Sequence, residues 1–193
     1  MALEFDERLH RYTLDGRILP SVSQIINAIL PMRPVDDYYL TRGTATHRAC
    51  ELYDRGTLDP ASVDPEIAPR LEAWKKFRAD FGGEIVANEM RLASRSGFAG
   101  TLDRVIGSRS KPVIIDIKSS CYPQAILQLG GYSILWRENA AWTAAKAGVV
   151  EVREDGSYAC FWLDKQALRR AEQRFLALLS VFNFAREHHL KEQ

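Results

Sequence analysis

The chain reads as an α/β domain, a central mixed sheet of about five strands flanked by helices, with an N-terminal hairpin and helical layer. Three observations predict this. In the first third, Leu71, Trp74, Phe77 and Phe81 recur at helical spacing. From Ile85 the pattern changes to short apolar runs rich in β-branched residues, separated by turn-forming segments. After Asp164 a helical stripe returns with Leu168, Ala171, Phe175, Leu178 and Phe182.

The elements follow in order. Residues 3–19 read as a β-hairpin, with Asp15-Gly16 turning the chain between Arg11–Leu14 and Arg17–Leu19. Ser21 can cap a short helix from Val22 to Leu30, and Pro31 and Pro34 break the chain after it. A second helix is expected from Asp37 to Arg55, a loop over 57–65, and a third helix from Glu66 to Phe81, stopped by Gly82-Gly83. Strands are expected over Ile85–Leu92, Phe98–Gly107 and Pro112–Lys118. The short connections 94–97 and 108–111 make them an antiparallel meander. A helix from Pro123 to Asn139, strands over Lys146–Arg153 and Tyr158–Leu163, and a long final helix complete the outline.

The chain has 193 residues, 46% apolar and 26% charged, enough apolar side chains for the core of one globular domain. Residues 1–193 therefore read as a single domain, with a hairpin and helical part (1–82), a sheet and helix (83–163) and a C-terminal helix (164–193). The net charge of +1 is not the strongly basic balance that would itself point to nucleic acid, although a local basic groove is compatible with it. Cys50, Cys121 and Cys160 form no C-x-x-C pair, so neither a cysteine zinc site nor an iron–sulfur cluster is expected. Their odd number fits a reducing, cytoplasmic setting. The N-terminus lacks a basic segment followed by an apolar one, and no apolar run approaches the roughly 20 residues needed to cross a bilayer, so no membrane partner is expected.

The run Val113-Ile114-Ile115-Asp116-Ile117-Lys118 carries the chemistry. It is apolar on both faces, as a central strand should be, yet ends in two charges. Residues two apart on a strand point the same way, so Asp116 and Lys118 lie side by side. Charge placed near a core must be paired or must bind an ion. Asp103, on the preceding strand, can meet Asp116 near one end of the sheet. Two converging carboxylates repel unless a cation lies between them, and Mg²⁺ or Mn²⁺ suits such hard oxygen ligands. A simple ion pair would also satisfy D-x-K, and Asp103 alone is as readily a strand-end residue. On the next helix Gln128 and Tyr132 share a face, separated by Gly130-Gly131, a pair that signals close approach of another backbone or of a substrate. Tyr132 alone also fits a core aromatic. Upstream, His47 and Glu51 share a helical face; His47 is either a ligand or a structural histidine, and Glu51 either joins the site or holds a neighbouring side chain. Glu89 is a further candidate, with a solvated strand position as its plainer account.

Taken together, G-x-x-x-x-D ending at Asp103, D-x-K at Asp116 and Lys118, and Q-x-x-x-Y at Gln128 and Tyr132 resemble the core of the PD-(D/E)XK nuclease superfamily, in its RecB-like exonuclease branch. Gly43, His47 and Glu51 resemble the G-x-x-x-H-x-x-x-E motif of that branch, and Leu102 stands where the superfamily's name has proline. The resemblance covers roughly Ser21 to Tyr132. It implies a restriction-endonuclease-like fold and metal-dependent hydrolysis of DNA phosphodiester bonds. Asp103, Asp116 and Lys118 would be catalytic. His47, Asp103, Asp116 and the Ile117 carbonyl would hold Mg²⁺ or Mn²⁺, and Glu51, Gln128 and Tyr132 would support the site or contact DNA. It implies an exonuclease of recombination, repair or phage DNA processing, with a homo-oligomer or a recombination partner protein left open. Some relatives in the branch carry an iron–sulfur cluster on four cysteines; three here, differently spaced, predict none. Arg42, Arg48, Arg91, Arg95, Arg104, Arg109 and Lys111 surround these motifs in sequence and are available for phosphate contact, with a solvated position as the plainer account for most of them and none singled out. The alternative is a nucleic-acid-binding module on a nuclease fold that needs a partner for activity.

Overall fold

The computed structural model describes residues 2–32, 34–108 and 111–188. Arg109, and the turn expected around it, lie outside them. The N-terminal hairpin gains a third strand: β1 (Leu3–Asp6), β2 (Arg11–Leu14) and β3 (Arg17–Leu19) form an antiparallel sheet in that order. The extra turn contains no glycine and puts His10 at φ 46°, so the usual turn signal was missing. Tyr12 and Leu19 bury against Ala99, tying this sheet to the main one.

Helix α1 (Val22–Ile29) begins at a capping box in which Ser21 and Gln24 satisfy each other's backbone N–H groups. Helix α2 (Asp37–Asp54) is capped by Asp36. Helix α3 (Ala68–Phe81) starts two residues later than the pattern suggests, because the Asp64 carboxylate accepts from the Glu66 N–H in a turn ahead of it.

The main sheet runs in sequence order: β4 (Glu84–Ala93), β5 (Ala99–Ser108), β6 (Lys111–Lys118), β7 (Lys146–Val152) and β8 (Tyr158–Leu163). All neighbours are antiparallel except β6 and β7. That parallel pair requires a crossover, supplied by α4 (Gln124–Asn139). Helix α5 (Lys165–Glu187), capped by Asp164, closes the chain. One core joins α1, α4 and α5 to the sheet through Val22, Leu102, Ile114, Leu129 and Phe175. The other joins α2 and α3 to it through Cys50, Trp74, Phe77, Ile115 and Ile117. The central strand β6 is thus covered on both sides, as its unbroken apolar run predicts.

Of the two close approaches signalled by Gly130-Gly131, the structure contains the backbone one. A Cβ on Gly130 would lie 2.4 Å from the Ala171 carbonyl oxygen, so this glycine lets α4 and α5 touch. A Cβ on Gly131 would meet the Val22 side chain at 2.8 Å. Among the described residues, no helix is long and apolar enough to cross a membrane.

Candidate active site

The backbone ladder between β5 and β6 runs from Ser108 and Lys111 as far as Arg104 and Ile115. Beyond that pair the Asp103 carboxylate, not a backbone carbonyl, accepts the hydrogen bond of the Ile117 N–H, at 2.7 Å. This brings Asp103 against the end of β6, where Ile114, Asp116 and Lys118 share one face. Asp116 is fully buried. Its Oδ1 accepts from Lys118 Nζ at 3.0 Å, and among the described residues its Oδ2 has no hydrogen-bond partner. Burial, together with repulsion from Asp103, pushes the Asp116 carboxyl up to about 7 against the pull of Lys118. For Lys118, burial works to lower the pKa, but Asp116 and Asp103 outweigh it and the ammonium is held charged.

Helix α2 delivers His47, whose Nδ1 lies 3.5 Å from Asp103 Oδ2. Burial lowers its pKa, favouring the neutral imidazole that can act as a ligand, and a backbone hydrogen bond with Ile117 places that peptide beside the ring. One ligand atom each from His47, Glu89 and Asp103 lie within 4.8 Å of one another, a grouping that can hold a metal ion.

Glu89, a further candidate by sequence, therefore lies beside Asp103 and His47 and not at the solvated strand position that was its plainer account. It sits between the paired positions Asn88–Arg104 and Met90–Leu102, with φ at 48°, after a register shift at Ile85/Ala87. A left-handed backbone costs a non-glycine residue roughly 1–2 kcal/mol, and here the cost accompanies a carboxylate turned toward Asp103. Burial and then the Asp103 charge raise its pKa to about 8, against the opposing pull of Arg104. Both shifts are led by burial, and Asp103 adds repulsion that the single cation beside each carboxyl, Lys118 or Arg104, does not cancel.

The sequence leaves Arg104 available for phosphate contact. It is instead fully buried, donating to Asp54 at 2.5 Å, to Glu89 at 2.9 Å and to the Asp103 carbonyl. Asp54 is in turn held by Trp74 Nε1 at 3.0 Å. A charged residue facing inward from an apolar strand was the available signal, but its partners come from α2 and α3, remote in sequence. The other candidates fare similarly. Arg42 faces Glu66 and Glu154, Arg48 faces Glu51, and Arg91 faces Glu7. Lys111 begins β6, at the opposite end from Lys118, and Arg95 is exposed on the turn after β4. Glu51 is taken up by Arg48 at 2.7 Å and Arg55 at 2.6 Å, the second of its two sequence readings.

Gln128 donates to the Tyr132 hydroxyl at 2.6 Å. Tyr132 is buried in the core, and its pKa is raised well above the usual value by burial and then by Asp116 and Asp103. The tyrosine is thus a core aromatic whose hydroxyl senses the carboxylates, so its two readings coexist.

No protein-family model matches the chain, and no curated protein matches it in sequence. Among solved structures it is similar to LHK-Exo, determined in complex with dAMP, at 16% identity over 90% of this chain and 91% of that one, with a TM-score of 0.47. A protein from Eubacterium rectale described as a candidate exonuclease is similar at 9% identity over 87% and 76%, with a TM-score of 0.46. SSO0001 is similar at 17% identity over 81% and 84%, with a TM-score of 0.31. Likenesses this distant carry no functional weight; the carboxylate cluster must carry it.

Proposed function

We propose that the chain is a metal-dependent nuclease of the PD-(D/E)XK type that hydrolyses DNA phosphodiester bonds, working from strand ends. The observation that carries this reading is Asp116: fully buried, one oxygen without a hydrogen-bond partner among the described residues, beside a second carboxylate and a lysine. Such a group is costly unless something positive joins it. His47, Asp103 and Glu89, with the orphaned Asp116 oxygen and the neighbouring Ile117 peptide, fit a hard divalent cation such as Mg²⁺ or Mn²⁺ by donor chemistry. When bound, such an ion polarises a phosphoryl oxygen and lowers the pKa of its water.

The chain's own residues supply the rest. Lys118, held charged by Asp116 and partly open to solvent, is placed to stabilise negative charge developing on a phosphate. Asp103 links the two strands by accepting from Ile117, so neither carboxylate can drift from the other. Tyr132 closes the core side of the site, with its hydroxyl steered by Gln128. The end-directed mode and a role in recombination, repair or phage DNA processing rest on the Q-x-x-x-Y resemblance alone.

The test is cleavage of end-labelled linear and circular DNA with Mg²⁺, Mn²⁺ or EDTA. Metal-dependent loss of label from linear DNA only, abolished in Asp116→Ala with DNA binding retained, is the expected result. Cutting of circles would replace the end-directed mode with an endonuclease. A folded protein that binds DNA but cleaves none would replace the enzyme with a binding module.

A further inference from the structure

The arginines nearest the carboxylate cluster already face carboxylates, so a phosphate backbone would have to displace Glu or Asp from each. The cations without that competition lie elsewhere. A groove of about 360 Å³ runs between β3, the 94–97 turn and the last turns of α5, with Arg17, Ser96, Asn183 and Arg186 among its polar walls. A second hollow of about 260 Å³ continues it, adding Arg11 and Gln24 and sharing Ile18, Leu19, Pro20 and Arg186. Arg11, Arg17 and Arg186 are all exposed. Among the described residues none of the three has a carboxylate within ion-pair distance, while Glu187 at the rim is the only acidic side chain lining either hollow. Arg186 is steadied by the Phe182 ring, 5.7 Å from its guanidinium carbon.

From these walls, and resting on the nuclease reading above, we propose that this groove binds the phosphodiester backbone of the substrate strand at a distance from the bond being cut. Three arginines against one glutamate leave it positive on a chain whose net charge is only +1. Guanidinium groups suit phosphate oxygens through paired N–H donors. The sheet fixes the spacing. Asp103 on β5 lies six residues after Gly97, which lines the Arg17–Arg186 end of the groove, and at ~3.3 Å per residue that end lies at most about 20 Å from the carboxylates. At the ~3.4 Å rise of one DNA strand, about six nucleotides span that gap. The groove therefore engages only substrates longer than this and leaves shorter ones to the carboxylate site alone.

The experiment compares wild type with Arg17→Ala/Arg186→Ala by fluorescence anisotropy on 4- and 20-nucleotide DNA in Ca²⁺, across a salt series. Losing two phosphate contacts on a single strand should make the slope of log K against log salt shallower by about 1.4 for the 20-mer, with no change for the 4-mer. Equal slopes for the two proteins on the 20-mer overturn the proposal. So does an equal loss on both lengths, since the groove would then be part of the cleavage site. Inorganic phosphate and dAMP are titrated in parallel; if the variant loses these but keeps the 20-mer slope, the groove takes free anions and the strand assignment fails. Cleavage of the 20-mer by wild type in Mn²⁺ is scored separately. Its absence counts against the nuclease reading, whatever the groove does.

Discussion

Replacing Arg104 should separate stability from metal affinity. The side chain is fully buried and bridges two carboxylates, Asp54 at 2.5 Å and Glu89 at 2.9 Å. Asp54 is itself almost wholly enclosed, with 1% of its side chain exposed, whereas Glu89 retains 24% and can reach water. Arg104→Met keeps most of the volume but, among the described residues, leaves Asp54 with Trp74 and Arg78 as partners. Removing one member of a buried pair costs about 3–5 kcal/mol, a large part of the roughly 5–15 kcal/mol that holds an ordinary domain folded. Adding Asp54→Asn removes the stranded charge and should recover part of that loss. Metal affinity should not recover with it, because Glu89 keeps its strained backbone but has lost the guanidinium that orients its carboxylate. Loss of a residue that orients a metal ligand typically weakens affinity about 10–100-fold. Urea denaturation without metal and Mn²⁺ titration calorimetry read the two quantities independently. If Mn²⁺ affinity returns together with stability in the double variant, Arg104 merely holds the fold and the reasoning is wrong.

Two further outcomes follow from the same geometry. Asp116 is pushed up to about 7 and Glu89 to about 8, so the native chain retains protons that the unfolded chain releases from roughly pH 4 upward. Metal-free stability should fall as pH rises through that window and level off above it. Because a cation replaces those protons, the rise in Tm on adding Mn²⁺ should be larger at pH 8.5 than at pH 5.5; an equal or reversed shift in a thermal melt contradicts the site. Gly130→Ala must push α4 from α5, since the new Cβ would lie 2.4 Å from the Ala171 oxygen. At about 1–3 kcal/mol for overpacking, Tm should fall by roughly 2–12 °C, whereas Gly131→Ala meets only the side chains of Val22 and Phe175 and should cost less.

The sequence by itself determined the order and kind of nearly every element, because apolar period, capping residues and turn residues are local properties. Ser21 started α1, Gly82-Gly83 ended α3, and the apolar run from Val113 announced a strand covered on both faces. It also placed Asp116 and Lys118 side by side, since a period of two needs no partner to be read, and the meander placed Asp103 opposite them. Only the tertiary structure decided what surrounds those residues. Glu89 turns toward Asp103 through a left-handed backbone and a register shift that no residue type signals. Arg104 looked available for phosphate until Asp54 came up from α2 to meet it, 50 positions away in the chain. The groove of Arg11, Arg17 and Arg186 joins the two ends of the described chain. Charge type is written in the sequence, but whether a charge is free or already neutralised depends on distances that exist only once the chain has folded.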